Sequence, residues 1–239
     1  MKRGAFMTRL ISGTVLTLIL LVSSAFADGP VDLTRVLNAV NSGYASIEDL
    51  HAEFSQRTYV ASLKREEKGS GELFLKKKGG TAQFRFNYTR PKQNIISNGK
   101  SVWYYLPDNK QVIITDTAKL FSGGNGLALS YLTGLGTIAK DFDIRLLSES
   151  PDKKGNYQLE LKPKKDNPAV AKLHLFISRD TVNKAQSGSE AFFPISSSIL
   201  FDQMGNRTTI EFSRIRINSG VASEKFNFKP PAGVDVIKQ

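Results

Sequence analysis

The chain has 239 residues, no cysteine, two histidines and a formal net charge of +11. The absence of cysteine excludes disulfides, thiol catalysis and metal sites with cysteine ligands. The sequence also lacks the HExxH, P-loop and GxGxxG motifs, so we expect no catalytic residues, no metal and no cofactor.

The amino-terminal segment has the three parts of a secretory signal peptide. Lys2, Arg3 and Arg9 precede an apolar run over residues 10–22, and Ala25-Phe26-Ala27 fits a cleavage site. The alternative is an uncleaved anchor, but the run is shorter than the roughly 20 residues that a membrane-spanning helix needs. We therefore expect residues 1–27 to be removed, which leaves one domain over 28–239 with a net charge of about +8.

The first predicted elements are a helix and a strand. Apolar residues recur from Leu33 to Val40 at the spacing of one helical face, and Asp32 stands where an N-cap is expected. Around Phe54, apolar and polar residues alternate, which indicates a strand. The charged stretch Lys64–Gly71 that follows is predicted to be a loop or hairpin tip.

The densest strand pattern lies between Gly71 and Pro107. Its alternating residues predict one apolar face and one polar face in an antiparallel sheet. Asn98-Gly99 predicts a tight hairpin turn, because both positions tolerate positive φ. The apolar residues that share a parity on the first two strands are Leu73, Leu75, Phe84, Phe86 and Tyr88.

A short amphipathic helix is predicted in the middle of the chain, between glycine-rich flanks. Strand patterns then resume, with a change of parity near Ser213 that predicts a β-bulge. We count about ten or eleven strands, which favours an antiparallel sandwich or barrel. The apolar residues of the central helix are Leu127, Ala128, Tyr131, Leu132 and Leu135.

Lysine clusters at 76–78 and 162–165 raise the alternative of a nucleic-acid-binding protein. The predicted signal peptide implies export, which argues against a nucleic-acid partner. We therefore interpret these clusters as solvated lysines on outward strand positions and expect no nucleic-acid partner.

Two stretches also resemble a known family, the LolA-type outer-membrane lipoprotein carriers. The first is GELFLKK followed by FRFNY, Pro91 and IISNGKSVWYYLP, and the second is the closing FNFKPPAGVDVI. The first helix and the strand with Phe54 and Gln56 match the family in order, so the resemblance covers the mature chain. Asn98 replaces the usual aspartate, and Lys77 stands where the family commonly has an arginine that helps to hold a lid shut.

This resemblance implies an open, incomplete antiparallel barrel of about 11 strands, with short helices covering its concave face. It implies a monomeric periplasmic chaperone of a Gram-negative bacterium, without enzymatic activity. The carrier would receive triacylated lipoproteins from an inner-membrane ABC transporter and deliver them to an outer-membrane acceptor. A lipid- or lipoprotein-sensing regulatory module of an envelope-stress pathway is the alternative.

The expected acyl-chain site combines the aromatic face with flanking residues. Because an open apolar face must be covered in water, we expect the central helix, from Leu127 to Leu135, to act as its lid. Lys77 is the candidate for lid closure. The alternatives are an ordinary sheet core, a fixed crossover helix and a solvated lysine. The expected cargo-binding residues are Phe54, Leu73, Leu75, Phe84, Phe86, Tyr88 and Trp103.

Overall fold

The computed structural model describes residues 31–78, 81–122, 131, 138–188 and 190–239. The predicted signal peptide lies outside these residues, as do Leu127, Ala128, Leu132 and Leu135 of the predicted lid. Within the described residues, no helix is both long enough and apolar enough to cross a membrane.

One sheet of twelve strands organises the described chain. Its order is β12-β6-β5-β4-β3-β2-β1-β11-β10-β9-β8-β7, and β12 and β7 form two free edges, so the sheet is open. Neighbouring strands are antiparallel except β12 and β6. The open, mostly β prediction is thus confirmed, with one strand more than expected. The strands are β1 Asp49–Val60, β2 Arg65–Lys78, β3 Thr81–Arg90, β4 Gln93–Ser97, β5 Ser101–Leu106, β6 Gln111–Asp116, β7 Phe142–Leu146, β8 Asn156–Pro163, β9 Lys172–Ser178, β10 Ser197–Phe201, β11 Arg207–Ile217 and β12 Asp235–Lys238.

Four α-helices accompany the sheet in the described residues: α1 Leu33–Ala45, α2 Thr117–Ser122, α3 Ile138–Asp141 and α4 Arg179–Ser187. The Asp32 side chain accepts a hydrogen bond from the backbone N–H of Arg35 at 2.7 Å, which confirms the predicted N-cap of α1. Helix α1 buries Val36 and Val40 in the main apolar core. We call the sheet face that contributes to this core the inner face.

The pairing of β2 with β3 confirms the predicted parity. Leu73 lies opposite Phe86 and Leu75 lies opposite Phe84, so their side chains share the inner face. A bulge interrupts the pairing between Ser70 and Gly71. A Cβ atom added at Gly71 would lie 2.0 Å from the carbonyl oxygen of Asn87, so only glycine fits this close crossing of the strands.

The prediction of a loop over Lys64–Gly71 is wrong. The turn comes earlier, at Ala61–Leu63, and Lys64 closes it with a left-handed φ of 49°. Strand β2 begins at Arg65, which pairs with Val60, and the ladder with β1 continues without interruption. The charged side chains of Arg65–Lys68 are exposed, so this part of the strand pairs with β1 without placing charge in the core.

The hairpin at Asn98-Gly99 is confirmed, but its geometry differs from expectation. Gly99 alone has positive φ, at +92°. The Asn98 side-chain oxygen accepts hydrogen bonds from the backbone N–H groups of Lys100 and Ser101, each at 2.9 Å. Asparagine therefore shapes the turn through its side chain rather than through a left-handed backbone.

The carboxyl-terminal segment crosses the outer face of the sheet. Phe226 is fully buried there and packs with Phe74 and Val221 in a second apolar cluster. Further along, the Phe228 ring lies 5.4 Å from the ring of Tyr105. The sheet consequently has apolar residues on both faces over β2 to β5.

Candidate functional site

The inner face carries a continuous row of aromatic rings from β1 and β3. The Phe54 ring lies 5.8 Å from that of Phe86 and 4.8 Å from that of Tyr88, and both pairs meet edge to face. The Phe84 ring extends the row, 6.1 Å from Phe86. Such edge-to-face contacts give a rigid apolar surface with large contact area. The sheet thus brings four of the expected cargo residues into direct contact.

This aromatic row is covered in the structure. Phe84 and Leu73 are fully buried, and Leu75 is 5% exposed. Within the described residues, the core that covers them includes α1, Phe193 and Tyr131. An acyl chain can therefore reach the row only if part of this cover leaves it. The expected cargo contacts stay predictions, and ordinary sheet core stays the alternative.

The placement of Trp103 with this row is wrong. Val102 and Tyr104 are the residues of β5 that contact the inner core. Trp103 points to the outer face, where its ring lies 6.2 Å from that of Phe228. The carboxyl-terminal segment makes that face apolar as well, so an aromatic residue at Trp103 packs against the segment and not against the aromatic row.

Tyr131 places two polar groups inside the core. Its hydroxyl lies 2.8 Å from the Oγ atom of Ser198 on β10, and both residues are buried. Its backbone carbonyl accepts a hydrogen bond from the Tyr44 hydroxyl at the end of α1. These contacts join Tyr131 to α1 and to the sheet. Tyr131 is the one residue of the predicted lid that the structure describes.

Burial keeps these phenols protonated. It raises the pKa of Tyr44 well above its usual range, and the nearby Tyr131 phenol raises it further. Burial also raises the pKa of Tyr131; the Ser198 hydrogen bond opposes this rise and the nearby Tyr88 phenol adds to it. The pKa of Tyr88 rises to about 12 for the same reason, and its hydroxyl donates to Gln56 Oε1 at 2.9 Å. All three hydroxyls therefore stay protonated, and able to donate a hydrogen bond, at any ordinary pH.

The sequence matches the family model described as "Outer membrane lipoprotein carrier protein LolA" over residues 45–229. This chain belongs to the LolA family. The outer-membrane lipoprotein carrier protein of Azotobacter vinelandii is 30% identical over 223 residues, which cover 92% of this chain and 97% of the relative. The carrier protein of Legionella pneumophila is 31% identical over 198 residues, 81% of this chain and 85% of the relative.

A solved structure supports the fold. An uncharacterised conserved protein from Thermus thermophilus superposes with a TM-score of 0.52 at 14% identity, covering 86% of this chain and 98% of that one. The open sheet that the resemblance to the LolA family implies is therefore the fold that the structure shows.

Lys77, the candidate for lid closure, lies near the end of β2. It shares the parity of Leu73 and Leu75, and its ammonium group donates a hydrogen bond to the backbone carbonyl of Tyr44. Partial burial lowers the pKa of Lys77. The side chain thus binds the carboxyl-terminal end of α1, where the helix dipole favours a cation. Its role in closing a lid stays a prediction.

Several inner-face residues were not predicted from the sequence. Phe193 lies in a segment without regular structure, yet its ring packs 6.0 Å from that of Tyr44 and 5.3 Å from that of Phe212. The apolar run Phe192-Phe193-Pro194-Ile195 is the sequence pattern that could have indicated a buried segment here. No sequence pattern indicates Tyr44 and Ser198, because they are more than 150 positions apart and only the fold brings both into contact with Tyr131.

The outer face carries a different kind of concavity. A groove of about 520 Å³ lies between β1, β2, β10 and β11, with Arg57, Tyr59, Lys68 and Glu211 among its lining residues. Its charged walls are unsuited to an acyl chain. Among the described residues, no group of three or more histidine, aspartate or glutamate side chains is arranged to hold a metal ion.

Proposed function

We propose that this protein is a periplasmic carrier that holds the acyl chains of lipoproteins on the inner face of its sheet. The observation that carries the proposal is the apolar aromatic row of an open sheet in a chain of the LolA family. An open sheet, unlike a closed barrel, can exchange the cover of its inner face without breaking strand pairing.

The energetics of acyl chains require such a cover. Each methylene removed from water contributes about 0.8 kcal/mol, so a chain of about 16 carbons contributes on the order of 10 kcal/mol. Neither the chain nor the aromatic row can face water at that cost. In the proposed cycle, Tyr131 occupies the row in the empty protein and the acyl chains replace it in the loaded protein. No covalent step is needed.

The proposed partners are those of a carrier that moves cargo from the inner membrane to the outer membrane. Triacylated lipoproteins would be the cargo, an inner-membrane ABC transporter the donor and an outer-membrane lipoprotein or membrane the acceptor. We infer that the chain works as a periplasmic monomer after removal of residues 1–27, with Lys77 and Tyr44 favouring the closed form. Two observations support this inference. The relatives are named as outer-membrane lipoprotein carriers, and residues 1–27 have the basic, apolar and small-residue parts of a signal peptide.

Release of a lipoprotein from spheroplasts tests the proposal. Addition of the mature protein should release a triacylated lipoprotein into the medium as a soluble complex. Tyr88→Glu places a charge at the half-buried end of the aromatic row, and we expect this variant to fold and to release little lipoprotein. Phe84→Glu is a poorer test, because that side chain is fully buried and the variant would unfold.

Thr89→Glu is the matched control. It adds the same charge one position away, on an exposed residue, and should release lipoprotein as the wild type does. Gln56→Glu is a second, nearly isosteric variant next to the Tyr88 hydroxyl, and it should behave as Tyr88→Glu does. Equal release by Tyr88→Glu and Thr89→Glu would overturn the assignment of the inner face as the cargo site.

A further inference from the structure

Three hydroxyl-bearing residues meet inside the apolar core, and two of them belong to fixed elements. Tyr44 lies in the last turn of α1, and Ser198 lies on β10, between β9 and β11 in the sheet. Tyr131 connects them: its carbonyl accepts from the Tyr44 hydroxyl, and its own hydroxyl pairs with Ser198 Oγ at 2.8 Å. Ser198 and Tyr131 are 1% and 3% exposed, so water does not supply alternative partners there.

A face that serves only alkyl chains would not need these hydroxyls. A buried hydroxyl without a hydrogen bond destabilises the state that contains it. If Tyr131 leaves the inner face, the hydroxyls of Tyr44 and Ser198 both lose the partner that the structure gives them. The incoming ligand must then supply hydrogen-bonding groups as well as apolar surface.

The present partner of Tyr44 indicates what that group is. Its hydroxyl donates to a carbonyl oxygen, and burial keeps the phenol protonated and therefore a donor. An acyl chain is attached through an ester or an amide, and both linkages contain a carbonyl oxygen that accepts hydrogen bonds. The backbone carbonyl of Tyr131 thus occupies the place that a ligand carbonyl would take.

We propose that the Tyr44 and Ser198 hydroxyls are two polar contact points, at the two ends of the space that Tyr131 fills, and that each binds a carbonyl oxygen of the acyl linkages of the cargo. This inference rests on the carrier function proposed above. Together, these contact points form a subsite that fixes the head end of the acyl chains between α1 and β10, and the aromatic row takes the alkyl parts. A site built to hydrogen-bond a ligand group disfavours analogues that lack the group.

Binding of matched synthetic lipopeptides tests the subsite. The first probe is a lipopeptide with two ester-linked chains, and the second is its ether-linked counterpart with chains of equal length. Wild-type protein should bind the ester probe about twofold to twelvefold more tightly, because a neutral hydrogen bond contributes about 0.5–1.5 kcal/mol. A third probe adds one amide-linked chain to the ether lipopeptide and distinguishes the two sources of carbonyl.

The double variant Tyr44→Phe/Ser198→Ala should bind the ester and ether probes with a ratio near one. Loss of the hydroxyls also weakens the closed, empty form, but that effect is common to both probes and cancels in the ratio. Ser198→Thr keeps a hydroxyl and should retain the preference. Ser197→Ala, on the opposite face of the same strand, is the control and should retain it too.

Each outcome separates the subsite from the carrier function. Equal binding of both probes by wild type, or an ester preference that persists in the double variant, overturns the subsite and leaves the carrier function intact. Failure of wild type to bind any of the three probes overturns the carrier function itself. If the double variant does not fold, the ratio of the wild-type affinities for the ester and ether probes decides the question alone.

Discussion

Tyr131→Phe tests whether the hydrogen bond to Ser198 holds Tyr131 in the core. The change removes only the hydroxyl, and the ring keeps its packing. In the described part of the chain, the Ser198 hydroxyl has no other hydrogen-bond partner, so it becomes unpaired while buried. An unpaired buried hydroxyl costs about 1–3 kcal/mol.

Urea unfolding of the empty protein measures this cost. With an m-value of about 2 kcal/mol/M, the transition midpoint should fall by about 0.5–1.5 M. Ser198→Ala should give a loss of similar size, because it leaves the Tyr131 hydroxyl unpaired. The double variant Tyr131→Phe/Ser198→Ala removes both partners and should regain much of the lost stability. Additive losses, with a coupling energy below about 0.5 kcal/mol, would refute the pairing of these hydroxyls.

Three further predictions concern other parts of the molecule. Gly71→Ala should lower the free energy of unfolding by about 1–3 kcal/mol, measured in urea, because its Cβ would overlap the Asn87 carbonyl oxygen; an unchanged midpoint would contradict the close strand crossing. Although burial works against it, hydrogen bonds from His174 and Lys172 hold the pKa of Glu160 at about 2, below its usual 4.5. Its ionised form therefore stabilises the fold above about pH 4.5, and this contribution is lost as the pH falls toward 2, so Glu160→Gln should flatten an acid titration of stability in that window. Lys77→Met should destabilise the end of α1 by about 0.3–1 kcal/mol and speed hydrogen exchange of its last amides, whereas Lys77→Arg should not.

The parts of the fold that could be predicted are those that short sequence patterns specify. The two-residue period placed Leu73 and Leu75 opposite Phe86 and Phe84, because a half-buried strand repeats its environment at every second residue. The parity change near Ser213 likewise located a real bulge. There, β11 carries one more residue than β1 and Arg214 adopts a φ of +49°.

Other features depend on segments that are distant in the sequence. Trp103 could not be assigned to a face, because the carboxyl-terminal segment that covers it lies more than 100 residues away. Helix α4 was missed because it is only nine residues long and mostly polar, although Ser178 caps it through a 3.0 Å hydrogen bond to the Thr181 N–H. The hydroxyls of Tyr44 and Ser198 contact the two ends of Tyr131 only after α1 packs on the sheet.

The central claim is that acyl chains lie on the inner face, and photo-cross-linking tests it most directly. A lipopeptide whose acyl chain carries a diazirine is bound to the mature protein, irradiated, and the modified residues are identified by mass spectrometry. We expect the modified residues to include Phe54, Phe86 or Tyr88 on the inner face. Modification confined to the outer face, at Trp103, Phe228 or Tyr59, would contradict the account.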